Sequence, residues 1–197
     1  MALALAGGCP GTHELAAACW AAVQVRFMDA RWEVRDSALE AGWQLLSASS
    51  RPDWGEALVA RALAMVDSEQ AALRARALEV LTYMAPLGAA VAAALPDLGR
   101  ALRDSDDVVR RAALRMFMAL DRAVLAQHLQ QSPETSRLLR SLHQDADWEI
   151  KVALLDWFNE LVPALPQAAA AGLVAALGGS TQLLLQLSDP DRFVRLR

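Results

Sequence analysis

Aromatic residues make up only 6% of this 197-residue chain, which also has two cysteines, one tyrosine and no excess of basic groups. Cys9 and Cys19 both lie in the first twenty residues, Cys19 inside a helical pattern, so a disulfide framework is not expected. A formal net charge of −4 supplies no basic stripe for a phosphate backbone, and no nucleic-acid partner is expected. Residues 1–5 are apolar but lack the basic flank and the length of a signal peptide. No apolar run reaches the ~20 residues of a membrane span, so an intracellular, soluble protein without a membrane partner is expected. Catalytic motifs are scarce too. His13-Glu14 is the single His-Glu pair, and His128 and His143 fall on separate predicted helices. There is no Cys-x-x-Cys, Gly-rich phosphate loop or Gly-x-Ser-x-Gly. A metal site spread across repeats needs several His-Glu pairs, so no catalytic residue, metal ligand or cofactor is assigned.

What the chain does have is a repeat. The stretch Asp29-Ala30-Arg31-Trp32-Glu33-Val34-Arg35-Asp36-Ser37-Ala38-Leu39 returns in variant form four more times. Aligned on its apolar-basic step, the copies are Val34-Arg35, Leu73-Arg74, Val109-Arg110, Ile150-Lys151 and Val194-Arg195, spaced by 39, 36, 41 and 44 residues. That period belongs to paired-helix solenoids. Apolar slots superpose at helical spacing: Val34, Ala38, Ala41, Gly42 and Leu45; Leu73, Ala77, Val80, Leu81 and Met84. The next two copies give Val109, Ala113, Met116, Phe117 and Leu120, then Ile150, Leu154, Trp157, Phe158 and Leu161. With 55% hydrophobic residues and few β-branched ones, the expected fold is all-α: a HEAT/armadillo-like α-solenoid of antiparallel helix pairs. It is read as one domain over 1–197, about four and a half repeats long. Inner-helix motifs fall near 29–46, 67–84, 104–120, 145–161 and 189–197.

An acidic residue precedes each step, at Asp29, Asp67, Asp104, Asp145 and Asp189, where a helix start is expected to use it as a cap. The basic residue of the step then lies within reach of such an Asp in its own or a neighbouring repeat, which predicts a ladder of ion pairs. Along the chain, residues 1–11 are expected to be disordered. A first helix from Thr12 to about Met28 should bury Leu15, Cys19, Val23 and Phe27. Pro52 suits the first turn of the next outer helix, and Ser68–Met84 the second inner one. A third outer helix is expected to break or kink at Pro96 and end near Arg103, followed by an inner helix over Ser105–Leu120. Residues 121–131 prolong that helix or form an extra one, and Ser132-Pro133-Glu134 announces a new start. A fourth inner helix over Asp147–Leu161 and an Ala-rich helix over Gln167–Leu177 follow. The fifth copy stops at Arg197 without a polar capping repeat, so the sequence is expected to be a fragment or an incomplete gene model. Leu183, Leu184, Leu185, Leu187, Phe193 and Val194 should then be exposed and favour self-association.

Trp32 and Trp148 occupy the same place in two nearly identical heptads, 29–35 and 145–151. Each is either a partner-binding anchor or a staple over the preceding outer helix. Trp43 and Trp157 read as core. The run Trp-Glu-Val-Arg-Asp-Ser-Ala-Leu-Glu at 32–40, with Trp43-Gln44-Leu45-Leu46 and the heptad at 145–151 extended to Leu155, resembles the HEAT-repeat family. Those residues resemble the repeats of the vertebrate HEAT-repeat protein that activates the ataxia-telangiectasia kinase and associates with the breast-cancer tumour suppressor. That resemblance implies a scaffold of the DNA-damage response in nucleus and cytoplasm, with a checkpoint kinase and a tumour suppressor as protein partners. The family member also contacts the Integrator RNA endonuclease module through a Cys-Tyr tail. The sequence stops at Arg197 in mid-helix, so that role is not carried over.

Two function classes follow: a non-catalytic protein-protein interaction scaffold, and a HEAT-type enzyme or enzyme subunit of the lyase or hydroxylase class. For the scaffold, the inner helices are expected to turn Asp36, Glu40, Arg76, Glu79, Arg111, Arg115, Asp156 and Glu160 outward. Arg111 and Arg115, one turn apart, suit an acidic segment, and Asp36 and Glu40 suit basic residues. An ordinary solvated face is the alternative.

Overall fold

The computed structural model describes residues 10–49, 51–85, 89–161, 171, 174, 175 and 188–195. Its helices are α1 (Pro10–Arg26), α2 (Trp32–Ser49), α3 (Pro52–Met65), α4 (Ala71–Met84), α5 (Ala89–Leu98), α6 (Asp107–Met118), α7 (Arg122–Gln131), α8 (Pro133–Ser141), α9 (Trp148–Leu161) and the single turn α10 (Arg192–Arg195). Short 3-10 segments, Gly99–Arg103 and Leu142–Gln144, follow α5 and α8. The second helices of successive repeats, α2, α4, α6 and α9, stack each on the next, while α1 packs on α2 and α3 on α4. This is an all-α solenoid of helix pairs.

The apolar stripe is its spine. Leu73, Ala77, Leu81, Val109, Ala113, Met116, Phe117, Ile150 and Leu154 have no exposed surface, and Val80, Met84, Leu120, Trp157 and Phe158 are buried with them. In the first repeat Ala38 and Gly42 are buried but Val34, Ala41 and Leu45 only half so. The side chain of Leu161 lies outside the described residues. Gly42 fits the stripe because its place is tight: a Cβ there would stand 3.0 Å from Leu58 Cδ1 and 3.3 Å from Phe27 Cζ. Its missing side chain lets α2 approach α1 and α3.

Several sequence expectations are corrected. α1 begins at Pro10, not Thr12, so residues 10 and 11 are helical. Its buried face is Trp20 and Phe27, with Ala16 and Val23 packed against them, whereas Leu15 and Cys19 are exposed. In an Ala-rich helix the flanking apolar residues do not fix the face, and the large rings do: Trp20 stacks on Trp54 at 5.0 Å and meets Phe27 edge-on at 6.2 Å. α4 starts at Ala71 rather than Ser68. Pro96 sits inside α5 without breaking it; the α-to-3-10 change comes at Gly99, where a Cβ would lie 2.9 Å from Thr135 Oγ1. Of the two alternatives for residues 121–131 the structure has the extra helix, residues 122–131, capped by Asp121 through Ala123 N at 2.8 Å. Val194, expected to be exposed, is buried where α10 meets α9, while Phe193 is exposed. Leu183, Leu184, Leu185 and Leu187 and most of residues 167–177 lie outside the described residues.

Other starts follow their local chemistry. Pro52 and Pro133 stand in the first turns of α3 and α8, and Ser132 Oγ accepts from Thr135 N.

Candidate functional site

Two rows of charge run along the stacked second helices. The first is the ladder, and its rungs cross between repeats. Arg74 donates to both oxygens of Asp104, at 2.8 and 2.7 Å, while its Nη1 binds the carbonyl of Ser68 at 2.8 Å. Arg110 repeats this on Asp145, at 2.8 Å twice, and on the carbonyls of Asp104 and Ser105. Lys151 reaches both oxygens of Asp189 at 3.0 and 2.8 Å. Arg74 and Arg110 thus close their own repeat's entry loop and grip the next one, while Lys151 grips the next.

The aspartates do not cap the helices directly. Asp29, Asp104, Asp145 and Asp189 each accept the backbone N–H two residues on, turning the loop. The helix cap in the last three is the acidic residue after that: Asp106, Asp147 and Asp191 accept from Val108, Glu149 and Phe193 N–H. Burial alone would push the Asp104 and Asp145 carboxyls up. Hydrogen bonds from Arg74 and Arg110, from the N–H groups of Asp106 and Asp147, and the nearby guanidinium charges outweigh it and hold both below the usual carboxylate range.

The first rung is incomplete. In the second repeat Ser68, not Asp67, makes the turn, its Oγ accepting from Gln70 N. Among the described residues Arg35 therefore meets the carbonyls of Asp29 and Ala30, at 2.7 and 3.2 Å, and no carboxylate. Ser68→Asp should complete the rung and add about 0.5–1 kcal/mol, visible as a raised urea midpoint. An unchanged midpoint in Ser68→Asp, or an equal gain when Arg35→Met is also present, would remove Arg35 from the ladder.

The second row holds the residues expected to face a partner. Arg76 of α4 sits among Asp36 at 3.3 Å, Glu40 at 3.0 Å and Glu79 at 2.9 Å. Arg111 pairs with Asp107 and Glu149, and its Nε faces Asp147 Oδ2 at 3.1 Å off the hydrogen-bond line, an ionic contact more than a hydrogen bond. Arg111 is therefore already held by three carboxylates, which corrects its pairing with Arg115 as a grip for an acidic segment. Arg115 and Glu160 are exposed and Asp156 is half-buried.

The aromatics divide: Trp157 is buried as expected, while Trp43 and Trp148 are not. Trp32 is half-buried against the core. Trp148 is exposed and reaches forward, not back, stacking on Phe193 of the next repeat at 5.0 Å. Trp43 is half-buried rather than core, stacked on the exposed Tyr83 at 4.6 Å and 7°. Tyr83 carried no sequence signal, because no other copy has an aromatic there; its spacing from Arg76 and Glu79 on α4 was the available clue.

Two histidines are interior. His128 Nε2 shares a 3.1 Å hydrogen bond with Thr135 Oγ1, which also meets Ser132 Oγ, and His143 stacks on Phe158 at 5.8 Å. Burial lowers the His128 imidazole and takes His143 down to about 4 from its ordinary 6.5. The unfolded chain binds that proton near 6.5, the folded one only near 4. The neutral ring's contribution is therefore complete above 6.5 and is lost as pH falls to about 4. For His143 this amounts to roughly 3 kcal/mol. Urea midpoints at about pH 7 and about pH 4.5 should show most of that loss. His143→Gln should flatten the slope to what His128 leaves; an unaltered slope would assign the acid sensitivity elsewhere. His13 is exposed on α1. Among the described residues no group of three or more His, Cys, Asp or Glu is placed to hold a metal ion, and no helix is long and apolar enough to cross a membrane.

No family model and no curated protein matches this chain. Solved structures do. An engineered protein matches with a TM-score of 0.64 at 16% identity, over 92% of this chain and 77% of the other. The complex of CpcE and CpcF of phycocyanin lyase from Nostoc sp. PCC7120 matches with a TM-score of 0.58 at 23% identity, over 91% of this chain and 95% of that one. The chain has a helical-repeat fold. The second of these solenoids was solved as a complex of two proteins.

Proposed function

We propose that this solenoid is a non-catalytic scaffold that binds protein partners along the ridge of its second helices. One observation carries the reading: α2, α4, α6 and α9 stack into a continuous surface on which charged and aromatic side chains stand partly exposed while their apolar faces form the spine. By the resemblance at 29–46 and 145–155, the partners are a checkpoint kinase and a tumour suppressor of the DNA-damage response, met in nucleus and cytoplasm. Co-precipitation from cells with and without the kinase tests this. Loss of capture on Glu40→Gln with Glu79→Gln, in a variant that keeps its helical circular dichroism, is expected, and capture indifferent to every ridge substitution would overturn the ridge as the binding surface.

A second reading, an enzyme subunit of the lyase class, is favoured by the likeness to the phycocyanin lyase complex over nearly the whole length of that chain. Metal analysis of the purified protein, with an assay for a second helical-repeat subunit, separates the two. A stoichiometric metal or an obligate partner conferring turnover would favour the enzyme.

A further inference from the structure

We infer that the ridge of α2 and α4 is a docking platform for an arginine-bearing basic segment of a partner protein, an inference that rests on the scaffold reading. Asp36, Glu40 and Trp43 stand at i, i+4 and i+7 on α2, and Arg76, Glu79 and Tyr83 at i, i+3 and i+7 on α4, so all six share one outward strip. Three carboxylates meet one guanidinium there, 3 − 1, which leaves a local charge of −2. One turn along, the Trp43–Tyr83 stack ends in a tyrosine ring 51% exposed. Two other rings are covered by the chain's own arginines, Trp54 by Arg51 at 5.0 Å and Phe193 by Arg192 at 4.8 Å. Tyr83 has no such cover among the described residues. A planar cation lying on Tyr83 can reach Glu79, one helical turn away, and an adjacent basic residue can reach Glu40. A guanidinium suits this better than an ammonium because it stacks and forks at once.

The test is fluorescence anisotropy of labelled oligoarginine, oligolysine and oligoglutamate peptides on the full chain. Oligoarginine should bind, oligolysine more weakly and oligoglutamate not at all, with binding falling steeply between about 50 and about 500 mM salt. Glu40→Gln with Glu79→Gln, and separately Tyr83→Ala, should each weaken oligoarginine about tenfold, while Tyr83→Phe should keep most of it. Glu14→Gln with Glu56→Gln removes the same charge from exposed positions on α1 and α3, and should change little. No binding by the wild type, equal weakening by that distant pair, or indifference to Tyr83→Ala in a variant with an unshifted melting temperature would each overturn the platform. Partner capture that persists after such a result would leave the scaffold reading standing without it.

Discussion

Phe117→Asp is expected to abolish the folded state at room temperature. Phe117 lies in the last turn of α6 with no exposed surface, 6.1 Å from the His128 ring, and α6 packs against both α4 and α9. The substitution removes a ring, at about 3–5 kcal/mol, and leaves a carboxylate with no cation to meet it, which adds several more. A domain of this size holds roughly 5–15 kcal/mol in all. Far-UV circular dichroism should show loss of helix, with Phe117→Leu as the control at about 1 kcal/mol. A cooperative melt of Phe117→Asp at the wild-type midpoint would remove Phe117 from the core.

Arg110→Met ranks second. The Arg110 guanidinium satisfies four acceptors at once, the two oxygens of Asp145 and the carbonyls of Asp104 and Ser105, and 15% of its side chain is exposed. Methionine keeps the stem and leaves all four without their donor, at about 2–4 kcal/mol. Arg110→Lys should lose about half as much, since an ammonium lacks the fork. In a double-mutant cycle with Asp145→Asn, a coupling of about 1–3 kcal/mol is expected by urea denaturation. A coupling near zero would mean that the rung is geometry without consequence for stability. Because the rung also depresses the Asp145 carboxyl, its contribution is present above the ordinary aspartate range and disappears as pH falls through the lowered folded value.

The repeat and its apolar spine were legible because burial on a helix face imposes a period, and a period survives when individual residues change. The ladder was legible as a tendency, since the basic residue and the Asp recur together; its direction across repeats was not. An Asp that turns a loop and an Asp that caps a helix two residues later look alike in one dimension, and only the N–H each receives tells Asp145 from Asp147. α1 shows the opposite limit. Its alanines carry too little apolar contrast to fix a face, and the deciding contact, Trp20 on Trp54, joins residues 34 apart. The ridge failed differently: Arg111 was recognisable as outward, but its three carboxylates come from its own helix and from the next repeat, a neighbourhood that the sequence does not display.

The unequal rungs make the ties between repeats uneven. Between α4 and α6 and between α6 and α9 the ties are forked and shielded, with side chains of Arg74 and Asp104, Arg110 and Asp145 at most 15% exposed. Between α2 and α4 the matching rung lacks its carboxylate, and the electrostatic tie is Arg76, whose partners stand further into solvent. Mobile ions weaken exposed pairs before shielded ones. The electrostatic tie at the first junction is thus the one that added salt screens first, while those of the next two junctions are shielded from it. A cation arriving at Glu79 would compete with Arg76 at that same junction, so that occupancy of the ridge and the strength of the tie between α2 and α4 are set by one carboxylate.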